Sequence, residues 1–325
     1  MTLVQHWYGR SPLTQVLRPV AGLYGGLVAL RRMAYRRNFL SSHRLPVPVI
    51  VVGNITVGGT GKTPLVAWIA EFLCGSGYSP GIVTRGYKGT APQWPQLVYP
   101  DSDPQLVGDE PVLLARRGPF PVAAGPDRVA AARALLSRNN CNVLISDDGL
   151  QHYALQRDIE IAVVDAERRF GNGFYIPAGP LREPVRRLDG VHMVVANGNG
   201  WEGGYSMTLQ IQHACNLQDP GLMRPLPAFQ GQPVHGVAGI GNPARFFTGL
   251  QESHLQVMEH PFADHHRFQP ADLAFGDDYP VLLTEKDAVK CTGFAAPFWW
   301  YVPVTLHPDE RLGPDLLARL QALRV

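Results

Sequence analysis

Gly61, Lys62 and Thr63 are the residues of this chain whose order could handle the phosphates of a nucleotide. A lysine ammonium at that place reaches the β- and γ-phosphate oxygens, and the threonine hydroxyl beside it can hold Mg²⁺. Glycines ahead of them let backbone N–H groups close on phosphate. They end the segment Thr56, Val57, Gly58, Gly59, Thr60, Gly61, Lys62, Thr63, in which Thr56 stands where the strict pattern has glycine. A tight strand-to-helix turn alone would not need Lys62 and Thr63 together. Asp147-Asp148 is the second cluster. Carboxylates closing an apolar strand hold Mg²⁺ directly or through water. Arg182 and Glu183 lie in the Gly/Pro-rich loop 170–184, and an arginine beside a phosphate crevice can stabilise phosphoryl charge.

These groups need a sheet to carry them. The run Val47–Val52 is apolar and β-branched, as a buried strand requires, and LVAWIAEFL after Pro64 has helical spacing. Proline suits the first turn of a helix, where its missing N–H costs nothing. Asn142–Ser146 is a second apolar strand leading into Asp147. Strands at Gly81–Tyr87, Pro121–Gly125, Ile159–Ala166 and Val191–Asn197 alternate with helical stretches such as VLLARR and VAAARALL. This alternation predicts a parallel sheet whose strand C-terminal ends open on one crevice. The fold class is α/β, a P-loop NTPase-like parallel-sheet domain with a second, smaller α/β domain. The expected divisions are 1–45, 46–205 and 206–325.

At 325 residues, 45% hydrophobic and 17% charged, the chain can fill two cores. A net charge of +2 singles out no partner class, nucleic acid included. The distribution is more telling: no Asp or Glu precedes Glu71, so the N-terminus is a basic arm. Cys74, Cys141, Cys215 and Cys291 form no CxxC, which fits a reducing compartment and no structural zinc. Within the arm, Pro19–Leu30 is apolar and is followed by Arg31, Arg32, Arg36 and Arg37. That run is shorter than the roughly 20 residues a bilayer needs, and charge after the apolar run does not describe a signal peptide. A membrane-surface helix is expected.

The second domain is read from VHGVAGIG and PVLLTEKDAVK as strands, Phe298–Leu306 as a last strand, and 314–323 as a helix. His265-His266 are adjacent and lack the spacing or partners of a zinc site. Lys286 and Asp287 are adjacent, so the Asn-Lys-x-Asp guanine reader is missing.

VGNITVGGTGKTP, TRGY, GDEP, GPDR, SDDGLQH, GPLREP, GIGNPARFF, DHH and TEKDAVK occur in this order. Together they resemble the tetraacyldisaccharide 4'-kinases of lipid A synthesis in Gram-negative bacteria, from about residue 10 to about 306; Thr56 matches that pattern too. The resemblance implies transfer of the ATP γ-phosphate, with Mg²⁺, to the 4'-hydroxyl of an acylated disaccharide 1-phosphate, giving lipid IVA. It also implies a peripheral enzyme on the cytoplasmic face of the inner membrane, with no obligate protein partner. By motif, Asp109 resembles the catalytic base and His265 its partner, able to pass the proton onward. Asp147, Asp148, Gln151 and His152 resemble residues around metal and nucleotide. Arg85, Tyr87, Glu110, Arg128, Arg182 and Glu183 match polar cleft positions. Two rivals remain from the sequence: a P-loop switch or maturation factor without a lipid substrate, and a membrane-binding module with a vestigial nucleotide site.

Overall fold

The computed structural model describes residues 6–9 and 12–323; the outermost residues of the segments expected at 1–45 and 206–325 lie outside these. A helix, α1 (Pro12–Arg36), comes first. The larger sheet is then laid down by β1 (Val49–Gly53), α2 (Lys62–Gly75), β2 (Pro80–Thr84), β3 (Gln96–Val98), α3 (Pro104–Val107), α4 (Asp109–Arg117), β4 (Val122–Ala124), α5 (Arg128–Leu136), β5 (Val143–Ser146), β6 (Ile159–Asp165), β7 (Met193–Asn197) and β8 (Tyr205–Gln210). The second sheet follows as β9 (His213–Asn216), β10 (Met223–Pro225), β11 (Pro233–Ala238), α6 (Pro243–Glu252), β12 (Gln256–Pro261), β13 (Val281–Thr284), α7 (Glu285–Ala288) and β14 (Trp299–Val302). The chain then returns to the first sheet through β15 (Thr305–Pro308) and α8 (Leu312–Ala322).

The first sheet runs β15-β8-β7-β6-β1-β5-β2-β4-β3 and the second β10-β9-β14-β13-β11-β12. From β8 to β4 all neighbours are parallel, with antiparallel β15 and β3 at the edges. β1 is buried throughout because successive side chains feed two cores. Ile50 and Val52 enter the cluster with Leu65 and Ile69 of α2, while Val49 and Val51 enter the one with Leu135 and Leu144. A period of two with apolar residues on both faces is what a covered parallel strand needs. Each fully buried Ile or Leu stabilises this centre by roughly 2 kcal/mol.

Three expectations change. The break expected after residue 205 is crossed, because β8 and β15 both belong to the first sheet. The single strand expected at Phe298–Leu306 is two, β14 in one sheet and β15 in the other. Pro303 lies between them and has no N–H to give to a ladder. The helix carrying the Pro19–Leu30 run extends over 25 residues, long and apolar enough by length and composition to cross a membrane. Thr14, Ala21 and Gly25 bury one face of it. A Cβ at Gly25 would lie 2.6 Å from the Tyr175 ring, so the helix packs closely on the body.

Candidate active site

The loop after β1 turns sharply into α2. Asn54 is fully buried, and its Nδ2 donates to Thr60 Oγ1 (3.2 Å) and to the Gly58 carbonyl (3.4 Å). Gly61 has φ 91° and sits so close that a Cβ there would lie 2.8 Å from Asn197 Nδ2, so glycine is required twice over. Asn197, at the end of β7, donates to the Thr60 carbonyl (3.1 Å). No atom lies within 4 Å of where side chains on Gly58 and Gly59 would begin, which leaves that backbone open to a ligand. Thr56 is buried and bridges Leu181, and the Val57 amide donates to the Pro180 carbonyl (2.8 Å). The loop with Arg182 is thereby laced to the loop with Lys62.

Asp148 follows β5, the neighbour of β1, and its backbone is left-handed (φ 49°). Its carboxylate lies 3.6 Å from Lys62 Nζ and accepts from Arg182 Nη1 at 3.0 Å on both oxygens. Burial alone would raise its pKa, but Lys62, Arg182 and Arg128 outweigh it and hold the group well below the usual carboxylate range. Asp147 behaves oppositely: burial, with Glu110 next, pushes its pKa up to about 7. Its Oδ1 is buried without a hydrogen-bond partner. A buried carboxylate oxygen in that state could take a cation, and Asp148 and the Thr63 hydroxyl, expected beside it as ligands, are oxygen donors of the kind that Mg²⁺ takes.

Asp109 opens α4. Gly108 before it has φ 95°, and a Cβ there would lie 2.9 Å from the Tyr87 carbonyl. The Asp109 carboxylate is 2.9 Å from His265 Nδ1, across the gap between the two sheets. His265 is itself left-handed (φ 61°), as is Lys88 on the same cleft (φ 60°), and a non-glycine residue held there stores strain of order 1–3 kcal/mol. Burial would raise the Asp109 pKa. The hydrogen bond from His265 and the charges of Lys286 and Lys290 prevail and lower it, so the carboxylate is ionised and ready to accept a proton. Tyr87 packs edge-on against His265 (5.1 Å between ring centres), and exposed Arg85 lies over Tyr87. A cleft of about 1620 Å³ opens on Asp109 and His265 and runs between the sheets.

The other expected cleft residues are held by neighbours as follows. Glu183 is fully buried, accepting from Gln151 Nε2 (2.9 Å) and from the Tyr153 hydroxyl. It braces Gln151, which also donates to the Asn54 carbonyl (3.0 Å), and does not line the cleft. Arg128 is buried too, donating to the Pro126 carbonyl (3.1 Å), and burial lowers its pKa to about 10. His152 keeps a buried, unpartnered Nε2, and burial, with Arg128 next, lowers its pKa to about 4, so its ring is neutral. Glu110 pairs with Lys286 (3.1 Å). Lys286, Lys290 and Asp264 at the acceptor end, and Asn197 with Arg245 at the phosphate end, were not expected as site residues. The signal available for the lysines was their spacing of four in TEKDAVK.

The family profile described as tetraacyldisaccharide-1-P 4'-kinase matches residues 13–321. Tetraacyldisaccharide 4'-kinase of Nitrosococcus oceani is 54% identical over 319 residues, covering 98% of this chain and 94% of its own length. The chain belongs to the tetraacyldisaccharide-1-P 4'-kinase family. The enzyme of that name from Methylobacillus flagellatus is 50% identical over 323 residues, covering 99% of this chain and 96% of its own. The crystal structure of LpxK from Aquifex aeolicus, an "apo" form in complex with ATP, superposes with a TM-score of 0.78 at 28% identity, covering 95% of this chain and 99% of that one. As a member of this kinase family the chain is an enzyme, and its P-loop NTPase-like sheet with a smaller second sheet is the family's fold.

Proposed function

We propose that the chain transfers the γ-phosphate of ATP to the 4'-hydroxyl of a tetraacylated disaccharide 1-phosphate, giving lipid IVA. The observation that carries this is the Asp109 carboxylate, ionised and hydrogen-bonded to His265 on the cleft between the sheets, with its neighbour Glu110 close enough to Asp147, behind Lys62 and Asp148, to raise the Asp147 pKa. Asp109 accepts the hydroxyl proton as the sugar oxygen forms its bond to the γ-phosphorus; the bond from that phosphorus to the bridging oxygen breaks, and ADP leaves. Lys62 and Arg182 meet the charge on the transferring phosphoryl group, which is what such a reaction chiefly needs. Thr63, Asp147 and Asp148 hold Mg²⁺, which neutralises phosphate charge when bound. Gln151 and Glu183 keep the phosphate loop in place from beneath.

The lipid side belongs to α1. Val16, Val20, Leu23, Leu27 and Leu30 recur at helical spacing and are all more than half exposed. This stripe lies opposite the face buried by Thr14, Ala21 and Gly25. A membrane covers it, with the enzyme peripheral on the cytoplasmic side, and the acyl chains of the substrate stay in that layer. Arg31 donates to the Gln151 carbonyl (3.0 Å), so the basic end of the helix sits near the crevice. The test is transfer of radiolabelled γ-phosphate from ATP to the purified disaccharide lipid, with products resolved by chromatography. Label is expected in the lipid; label released as inorganic phosphate at the same rate with or without lipid would mean a nucleotide hydrolase instead.

A further inference from the structure

His265 has two ring nitrogens, and each faces a charged group. Nδ1 lies 3.0 and 2.9 Å from the two Asp109 oxygens, and Nε2 lies 3.3 Å from Lys286 Nζ. An ammonium offers three N–H donors and no acceptor. Lys286 Nζ is also 3.1 Å from Glu110 Oε1 and 3.4 Å from Asp264 Oδ1. Its three donors therefore meet three acceptors, provided that Nε2 presents a lone pair. We propose that Lys286 is a positioning residue for phosphoryl transfer: by donating to Nε2 it fixes His265 as the neutral Nδ1–H tautomer, whose only N–H points at Asp109. The inference rests on Asp109 being the base and adds a residue and a proton position to it.

The ammonium is itself held. Asp287, fully buried, accepts from the Thr284 hydroxyl (2.6 Å), the Gly239 amide (2.7 Å) and Lys290 Nζ (2.6 Å), pinning the short α7 that carries Lys286. The charged groups around the imidazole are Asp109 and Glu110 from α4, Asp264 beside it, Lys286 from α7, and Lys290, 4.0 Å from Asp109. Lys88 reaches the Asp264 carbonyl (3.2 Å), and Tyr87 covers the ring edge. Asp264 Oδ1 is 3.7 Å from Nε2, beyond hydrogen-bond distance and farther than Lys286. His265 so held cannot relay the proton: Nδ1 already carries one, and the lone pair on Nε2 is taken by a cation. It aims and steadies Asp109 instead. Without Lys286 no cation holds the lone pair at Nε2, so the ring is free to place its proton there and turn a bare Nδ1 toward Asp109, which leaves the base unsteadied.

The experiment compares the full-length wild type with Lys286→Met and Lys286→Arg, with rates measured against pH on ATP and lipid acceptor. The Met variant is expected to lose on the order of tenfold in kcat with KM for ATP unchanged, and the Arg variant to recover part of the loss. Long-range ¹H–¹⁵N spectra of histidine-labelled protein, with His265 assigned by difference from His265→Gln, read the proton directly. Wild type should show the Nδ1–H ring at pH 7, and the Met variant a mixture of tautomers. An Nε2–H ring or an imidazolium in wild type at pH 7 overturns the proposal without any variant. So does a Met variant that is slowed while its His265 ring keeps the wild-type tautomer, the mark of a lost ion pair between the sheets. Asp109→Asn run alongside separates the two levels: full turnover there removes Asp109 as base, whereas an inactive Asp109→Asn with the wrong His265 tautomer removes Lys286 alone.

Discussion

Lys62 and Asp148 meet from adjacent parallel strands of one sheet, whereas Asp109 and His265 meet from two sheets, 156 positions apart in sequence. The phosphate end is therefore set by secondary structure: once β1 and β5 pair, the loops that follow them must lie side by side. The acceptor end is set by docking. It depends on Lys286–Glu110, on the ion pair of Arg117 with Glu285, and on Lys88 reaching the Asp264 carbonyl. One end is fixed when the first domain folds; the other exists only while the two sheets stay together. Binding and chemistry should accordingly respond to different substitutions.

The largest effect is expected at the phosphate end. Lys62→Ala removes the main protein charge on the transferring phosphate, and the loss should be worth several kcal/mol in the transition state. A variant retaining more than about a tenth of wild-type turnover, near 1.4 kcal/mol, would place the nucleotide elsewhere. ATP affinity, measured by calorimetry, should fall with it.

Asp109→Asn comes next and should separate the two ends. It keeps the shape but cannot take a proton, so turnover should fall by roughly 10²- to 10⁴-fold with ATP binding little changed. The pH dependence has a defined sign. The folded-state pKa of Asp109 lies below its ordinary 3.8, so the base stays charged down to that value, and the wild-type rate should hold until pH enters the range below it. The stability its ionised form contributes is present above about pH 4 and lost as pH falls through the lower folded value. A wild-type acid limb near pH 6 that disappears in Asp109→Asn would contradict this.

The same contrast explains what could be read from the chain alone. β1, Lys62 and Asp148 were legible because each lies within a few residues of an apolar strand that announces it. Asp109 and His265 carry no such local signature; adjacent carboxylates at a helix start and paired histidines are common, and only the resemblance of GDEP and DHH marked them. Glu183 was placed in the cleft because sequence does not say which way a polar side chain points, and it is buried against Gln151 and Tyr153. The two strands within Phe298–Leu306 were unreadable because the apolar run is continuous, while the partner strands that divide it lie about 80 to 100 residues earlier.

Arg245→Ala tests the one polar link from α6 to the phosphate loop. Arg245 Nη2 donates to Asn197 Oδ1 (2.9 Å), and Asn197 in turn donates to the Thr60 carbonyl (3.1 Å). Losing a hydrogen bond of this kind costs about 1 kcal/mol, so KM for ATP should rise by roughly three- to tenfold with kcat nearly unchanged. A fall in kcat alone would mean that α6 acts on the acceptor end, and the division between the two ends would need redrawing.

The smallest effect on the chemistry belongs to the exposed stripe of α1. Leu23 and Leu27 are 72% and 66% exposed, so Leu23→Glu with Leu27→Glu removes no packing from the body. Thermal stability should change by less than about 0.5 kcal/mol per substitution, and turnover of detergent-dispersed acceptor should stay near wild type. Membrane contact should respond strongly. Each leucine buried in lipid contributes roughly 1.5–3 kcal/mol, so each carboxylate in its place should weaken association with anionic vesicles by more than about tenfold, as read by co-sedimentation. Activity on acceptor embedded in those vesicles should fall in step. Unchanged sedimentation of the double variant would make α1 a packing helix held by Gly25 against Tyr175, and the route of the lipid to Asp109 would have to lie along another face.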